Sequence, residues 1–124
     1  MCGIEMSKKF ESLAEKDLAK LPRTSRFHFY IGEEIIHLHI QNRKKEDWYL
    51  AEYDPAAKIF FGYFINRAHG ISSGFCSLEE IASYHKRGEA WEPLVDESWK
   101  PVAAKEILLL RGYIDMMRSP PDQM

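Results

Sequence analysis

Cysteine is scarce in this 124-residue chain: Cys2 and Cys76 are the two thiols. They lie far apart and form no C-x-x-C pair, so neither a disulfide framework nor a zinc knuckle follows from them. Reduced thiols in a cytosolic protein are the simpler reading. Long apolar runs are also missing. No segment approaches membrane-spanning length, and residues 1–15 lack the hydrophobic stretch of a signal peptide. An excess of one charge is absent too: 17 basic residues face 19 acidic ones, for a formal charge of −2. That balance does not favour a general polyanion binder, although a local basic patch stays open. No G-x-S-x-G, phosphate-binding loop, dinucleotide glycine pattern or H-E-x-x-H occurs, and no cofactor is implied.

What the chain does hold is apolar and aromatic material. Hydrophobic residues make up 45% and aromatic ones 13%, enough for a real core and too much for a disordered chain. The length suits one domain spanning residues 1–124, with frayed ends at about 1–6 and 119–124. Ser7 can cap a helix from about Lys8 to Lys20, whose apolar stripe is Phe10, Leu13, Ala14, Leu18 and Leu21, and Pro22 ends it. Alternation in Phe27–Ile31 and Ile35–Ile40 around Gly32-Glu33-Glu34 predicts a hairpin, followed by a charged loop from Asn42 to Glu46.

A second hairpin is written more strongly. Trp48–Tyr53 and Ile59–Phe64 flank Asp54-Pro55-Ala56-Ala57, where Asp can bond its own backbone and Pro presets φ. A four-residue loop is expected to set Ala51 opposite Phe60, Leu50 opposite Phe61 and Trp48 opposite Tyr63. One face would then carry Trp48, Leu50, Ile59, Phe61 and Tyr63, and the other Tyr49, Tyr53, Phe60 and Phe64. A sheet apolar on both faces must be covered on both, by helices or a partner chain. Gly62 inside the strand suggests a bulge or a close approach.

Asn66 to Ser73 reads as a flexible connection, and Gly74-Phe75-Cys76 as a short strand. Ser77-Leu78-Glu79-Glu80 fits a capping box opening a helix that Gly88 closes. Trp91 to Pro101 is irregular, with a short strand at Leu94-Val95. A last helix is expected from Val102 to about Met117, with Ile107, Leu110, Ile114 and Met117 on one side. The sum is an α+β domain: an antiparallel sheet of four to five strands packed with about three helices.

The block from Trp48 to Glu80 resembles a family known as domain of unknown function 2958. Trp48-Tyr49, Glu52-Tyr53-Asp54, Phe61-Gly62, Gly74-Phe75 and Ser77-Leu78-Glu79-Glu80 carry the likeness, with Asp96, Trp99, Pro101, Ile107 and an early Leu21-Pro22. The likeness spans most of Leu21 to Leu109. Members tend to carry an acidic residue just before the Gly-aromatic-x-Ser-Leu segment, where this chain has Ile71-Ser72-Ser73. The resemblance implies a small bacterial protein of plasmids and integrative elements. It implies no reaction, cofactor or catalytic residue.

Four sets of residues could carry function. Glu52 and Asp54 lie two apart, so on a regular strand they point the same way beside Trp48 and Leu50, and Asp96 can join them for acid–base chemistry. The simpler reading is that Asp54 serves the turn and Glu52 sits in water. His28, His37 and His39 would share a polar hairpin face and could hold zinc or copper, or simply fill its wetter side. Cys76 reads as a nucleophile before a helix N-terminus or, more simply, as a buried structural thiol. Trp48, Tyr49, Tyr53, Trp91 and Trp99 supply an aromatic-rich binding surface, and Arg43-Lys44-Lys45 nearby could serve a single strand. The reading that follows is a non-catalytic, cytoplasmic accessory protein binding a macromolecule. The partner is expected to be protein rather than nucleic acid or membrane, with a second copy of the chain as one candidate. A small hydrolase using Glu52, Asp54 and Asp96, and a metal binder using the three histidines, are the alternatives.

Overall fold

The computed structural model describes Leu18, Leu21, Pro22 and residues 31–118. The predicted first helix and the first arm of the first hairpin, with His28, lie outside the described residues apart from Leu18, which is helical, and Ile31, which stands in a turn. Among the described residues seven strands follow in chain order: β1 (Ile35–Ile36), β2 (Leu38–Gln41), β3 (Asp47–Asp54), β4 (Ile59–Asn66), β5 (Gly70–Ser77), β6 (Leu94–Val95) and β7 (Val102–Ala103). Helix α1 is Leu78–Ala82 and α2 is Arg111–Arg118, with four short 3-10 turns between them among the described residues. The main sheet is antiparallel and runs β5-β4-β3-β2-β6, while β1 pairs with β7. The α+β class and the sheet of five strands agree with expectation; two helices stand among the described residues instead of three.

The β3–β4 hairpin forms, in a different register. Its loop is Pro55–Lys58, so Asp54 lies opposite Ile59 and Tyr53 opposite Phe60. Asp54 Oδ1 accepts from the Ala56 and Ala57 amides at 3.0 and 3.3 Å, and Lys58 takes a left-handed φ of 56° to close the turn. Between Leu50 and Glu52 the register slips by one, and beyond it Leu50 faces Gly62 and Trp48 faces Phe64. That bulge reverses the alternation. Tyr53 therefore joins Trp48, Leu50, Phe60 and Phe64 on one face, and Tyr49 and Ala51 join Phe61 and Tyr63 on the other. Gly62 is the close approach foreseen: a Cβ there would sit 2.1 Å from the Tyr49 carbonyl oxygen.

Both faces are covered, as their apolarity requires. On one, Leu21, Ile81 and Ala82 close over Leu38, Ile40, Trp48, Leu50 and Phe60. On the other, Ala104, Ile107, Leu110 and Ile114 close over Ile36, Tyr49, Phe61 and Tyr63. The closing segment is not the long helix expected from Val102. Val102–Ala103 is drawn into pairing with Ile35–Ile36, and Ile107 is extended, so the α-helix starts only at Arg111. Ile107, Leu110 and Ile114 still point inward, because a 3-10 turn spaces contacts by three and an α-helix by three to four. Met117, expected on that stripe, is exposed.

Two further expectations change. Residues 35–40 are not one arm: β1 and β2 are separated at His37 and pair with β7, β3 and β6. The stretch Asn66–Ser73 is mostly strand, since β4 and β5 pair from Ile59–Ser77 to Asn66–Gly70 around the turn 67–69. Ser77 does cap α1, its Oγ accepting from the Glu80 amide at 3.0 Å. The Glu80 carboxylate accepts from the Cys76 thiol at 2.9 Å. Ser77→Ala is expected to cost about 1 kcal/mol in urea-induced unfolding without shifting the midpoint slope.

Candidate functional site

The predicted carboxylates do not converge. The bulge at Ala51 turns Glu52 to the face of its cross-strand partner Phe61, away from Trp48 and Leu50. Asp54 serves its turn. Asp96 follows β6, and its amide donates to the His39 carbonyl at 2.9 Å. His39 lies opposite Tyr49 on β3, five residues from Asp54, or about 16 Å of extended strand.

Asp96 meets His39 instead. His39 Nδ1 is 2.8 Å from Asp96 Oδ2, and His39 Nε2 is 2.8 Å from Asp47 Oδ1. The imidazole is buried at 6% exposure and stacks on Tyr49, with ring centroids 4.5 Å apart and planes 3° from parallel. Trp99 tilts against both rings and donates its indole N–H to the Ile36 carbonyl at 2.9 Å. Burial works against charge on His39, but its hydrogen bonds to Asp47 and Asp96 outweigh it and hold the imidazole above its ordinary value. Burial likewise works against ionised Asp96, and bonds from Ser98 and His39 hold it below the usual carboxylate value. With a carboxylate 2.8 Å from each ring nitrogen, His39 has neither nitrogen open to a metal or to proton abstraction. Asp47 also borders a hollow of about 450 Å³, whose other described walls are Gln41, Asn42, Lys45, Ile65, Ile71 and Leu109, with no second acid among them.

The metal set is not brought together in the described part of the fold. His37 stands between β1 and β2, His39 is engaged on both nitrogens, and His28 lies outside the described residues. Among the described residues no group of three or more His, Cys, Asp or Glu is arranged to hold an ion. Cys76 is buried, and burial first, then its bond to Glu80, pushes the thiol far up, so it is no thiolate at neutral pH. Another buried carboxylate, Glu34, accepts from the Tyr63 hydroxyl at 2.6 Å and from the Gly32 amide at 3.0 Å.

The expected aromatic surface divides. Trp48, Tyr49 and Tyr53 are core residues, at 5%, 4% and 8% exposure, because the two-sided sheet buries both of its aromatic faces. Trp99 braces His39. Trp91 is the member that reaches a built surface, and that surface is knit from three turns.

Asn42 begins the first of these turns. Its Oδ1 accepts from the Lys44 and Glu46 amides at 3.0 and 3.1 Å, and Lys45 takes a φ of 62°. Glu46, buried at 2%, accepts from Asn42 Nδ2 at 3.1 Å and from the Arg67 amide at 3.2 Å. Arg67 Nη1 donates to the Lys44 carbonyl at 3.3 Å, so the turns 42–46 and 67–69 are joined. The Arg43 amide donates to the Ala90 carbonyl at 3.1 Å, and Asn42 Nδ2 to the Trp91 carbonyl at 3.4 Å, which ties in the third.

In that third turn Ser83–Arg87 is a 3-10 helix, in which residues three apart eclipse. The Arg87 guanidinium therefore lies 4.1 Å over Tyr84. Gly88, at a φ of 130°, reverses the chain and brings Trp91 within 5.5 Å of the same guanidinium. Lys44 Nζ lies 5.2 Å over Trp91, and buried Trp48 meets Tyr84 edge-on at 5.2 Å. The result is a ladder from core to surface: Trp48, Tyr84, Arg87, Trp91, Lys44. Two hollows of about 430 and 240 Å³ flank Tyr84 and share Glu46, Asn66 and His69; Arg67 lines the first, and exposed Phe75 the second.

Sequence reasoning missed Asn42, Glu46, Tyr84, Arg87 and Asp47. A signal existed for some. Tyr84 and Arg87 are three apart and Trp91 follows four later, a cation–aromatic spacing hidden by Gly88. Comparison with family models, with curated proteins and with solved structures found no match for this chain.

Proposed function

We propose that this is a non-catalytic interaction protein that binds a macromolecular partner across the face of Tyr84, Arg87 and Trp91. The observation that carries the reading is the ladder of rings and cations, anchored on Trp48 and held by buried Asn42 and Glu46. Rigid aromatic anchors beside charged side chains are the usual makeup of a binding hot spot. Arg87 gives its ring contacts from a guanidinium whose N–H edge can take an oxyanion in two parallel bonds. Support also comes from what the titratable groups do. The Asp47–His39–Asp96 set is satisfied within itself, and the other candidate acids stand apart. The likeness of Trp48–Glu80 to domain of unknown function 2958 supports an accessory role on bacterial mobile elements, and the two widely separated cysteines support a cytoplasmic setting.

The test is site-specific photocrosslinking in a bacterial host. A photoreactive residue at Ala68, in the wall of the larger hollow, should give covalent adducts. The same residue at exposed Ala56, in the β3–β4 turn, should give none. Equal yields at both positions, or none at either, would overturn the reading.

A further inference from the structure

The geometry points to single-stranded nucleic acid as the ligand of the Tyr84–Arg87–Trp91 face, an inference that rests on the interaction reading above. The chain as a whole is acidic by two charges, so the attraction must be local. It is concentrated: Arg67 and Arg87 line one groove and Lys44 Nζ lies over the Trp91 ring in its wall, while the acid in that wall, Glu46, is buried and occupied by Asn42 and the Arg67 amide, and Glu80 in the adjoining hollow accepts from the Cys76 thiol. Arg67 and Arg87 are exposed, and Lys44 is half-buried.

The aromatic residues decide which polyanion fits. Lys44 and Arg87 rest over the Trp91 ring at 5.2 and 5.5 Å. Such contacts are weak at accessible sites, so a phosphate can draw either cation off the ring. The bared ring face then takes a base. Tyr84 continues the row between the two hollows, and Ser72 and His69 in the second offer polar groups to base edges. A cationic groove interleaved with rings is how single strands are held without strict sequence choice. An acidic peptide would satisfy the cations but has no ring at each step to stack on Trp91 and Tyr84, so the strand is favoured.

The experiment is fluorescence anisotropy of the full chain with a labelled oligothymidylate of about 15 nucleotides, within the span of a small single-strand site. Micromolar binding is expected at about 50 mM salt, with a log–log salt slope of about −2 for three phosphates neutralised on a single strand. Arg87→Gln should shrink that slope by about 0.7. Trp91→Ala should weaken binding roughly tenfold with the slope kept, as loss of one stacked base requires. Both variants change surface side chains, and circular dichroism checks that they fold. A labelled Glu/Tyr peptide serves as the rival probe. Peptide binding that needs Arg87, with no oligonucleotide binding, would overturn this inference and leave the interaction reading standing. Oligonucleotide binding unchanged in both variants would overturn it as well. If neither probe binds and Ala68 gives no adduct, both fall together.

Discussion

Replacing His39 with alanine is expected to lower the unfolding free energy by about 3 kcal/mol near pH 6, because it removes the buried cation that separates two carboxylates. Asp47 and Asp96 each approach the ring to 2.8 Å, and their side chains are 13% and 20% exposed, so water screens the remaining repulsion only in part. The pH dependence follows from the directions of the shifts. His39 is raised in the folded state, so its contribution is complete below the unfolded value of 6.5 and fades as pH climbs through the folded one. Asp96 is lowered, so its contribution is present above 3.8 and fades as pH falls through its folded value. The gap between wild type and His39→Ala should therefore be widest between about pH 4 and 6.5 and narrow on either side. Urea melts across pH would measure it. A gap that grows steadily above pH 8 would mean the imidazole is neutral in the fold.

Gly62→Ala is expected to cost at least as much, about 3 kcal/mol, or to prevent folding. The added carbon would meet backbone, not a side chain that can swing aside: the Tyr49 carbonyl oxygen at 2.1 Å and the Leu50 Cα at 3.0 Å. The strain falls where β3 bulges against β4, and relieving it would push apart the strands that carry both cores. Yield of soluble protein and the urea midpoint report the effect. A variant as stable as wild type would show that β3 and β4 do not approach as described.

Much of the architecture was legible because single residues dictate it. Pro55 after Asp54, Ser77 ahead of Glu80, and Gly62 between aromatics each admit few local structures. Rings on both sides of β3 forced a sheet covered twice. The register was not legible. An extra residue at Ala51 leaves no mark in composition, yet it moves Tyr53 to the opposite face and separates Glu52 from Trp48. The C-terminal stretch misled for a related reason. Spacings of three and four serve a 3-10 turn as well as an α-helix, and only pairing with Ile35–Ile36 decides that Val102–Ala103 is a strand.

The candidate sites were harder, since each is assembled from distant turns. His39, Asp47 and Asp96 were all visible as titratable residues, but the β2–β3 hairpin that joins the first two was concealed by reading Ile35–Ile40 as a single hairpin arm. Asn42 and Glu46 looked like ordinary members of a charged loop. Their role depends on the Arg67 amide and the Trp91 carbonyl, which the chain brings in from 21 and 49 residues away. Trp48 and Trp91 were grouped as one surface, whereas the fold makes Trp48 the buried foot of a ladder and Trp91 its outer rung.

The proposed role is contact at the ladder of rings and cations, with the buried histidine holding the fold together. Shift mapping by NMR on the labelled protein, titrated with the oligothymidylate, tests both halves in one experiment. The Trp91 indole and the amides of residues 84–91 and 42–46 should move together, with the Trp99 indole and the His39 ring unmoved and the ring titrating above its ordinary value. Movement centred on His39 and Trp99, or a His39 ring that titrates near its ordinary value of 6.5, would contradict this reading.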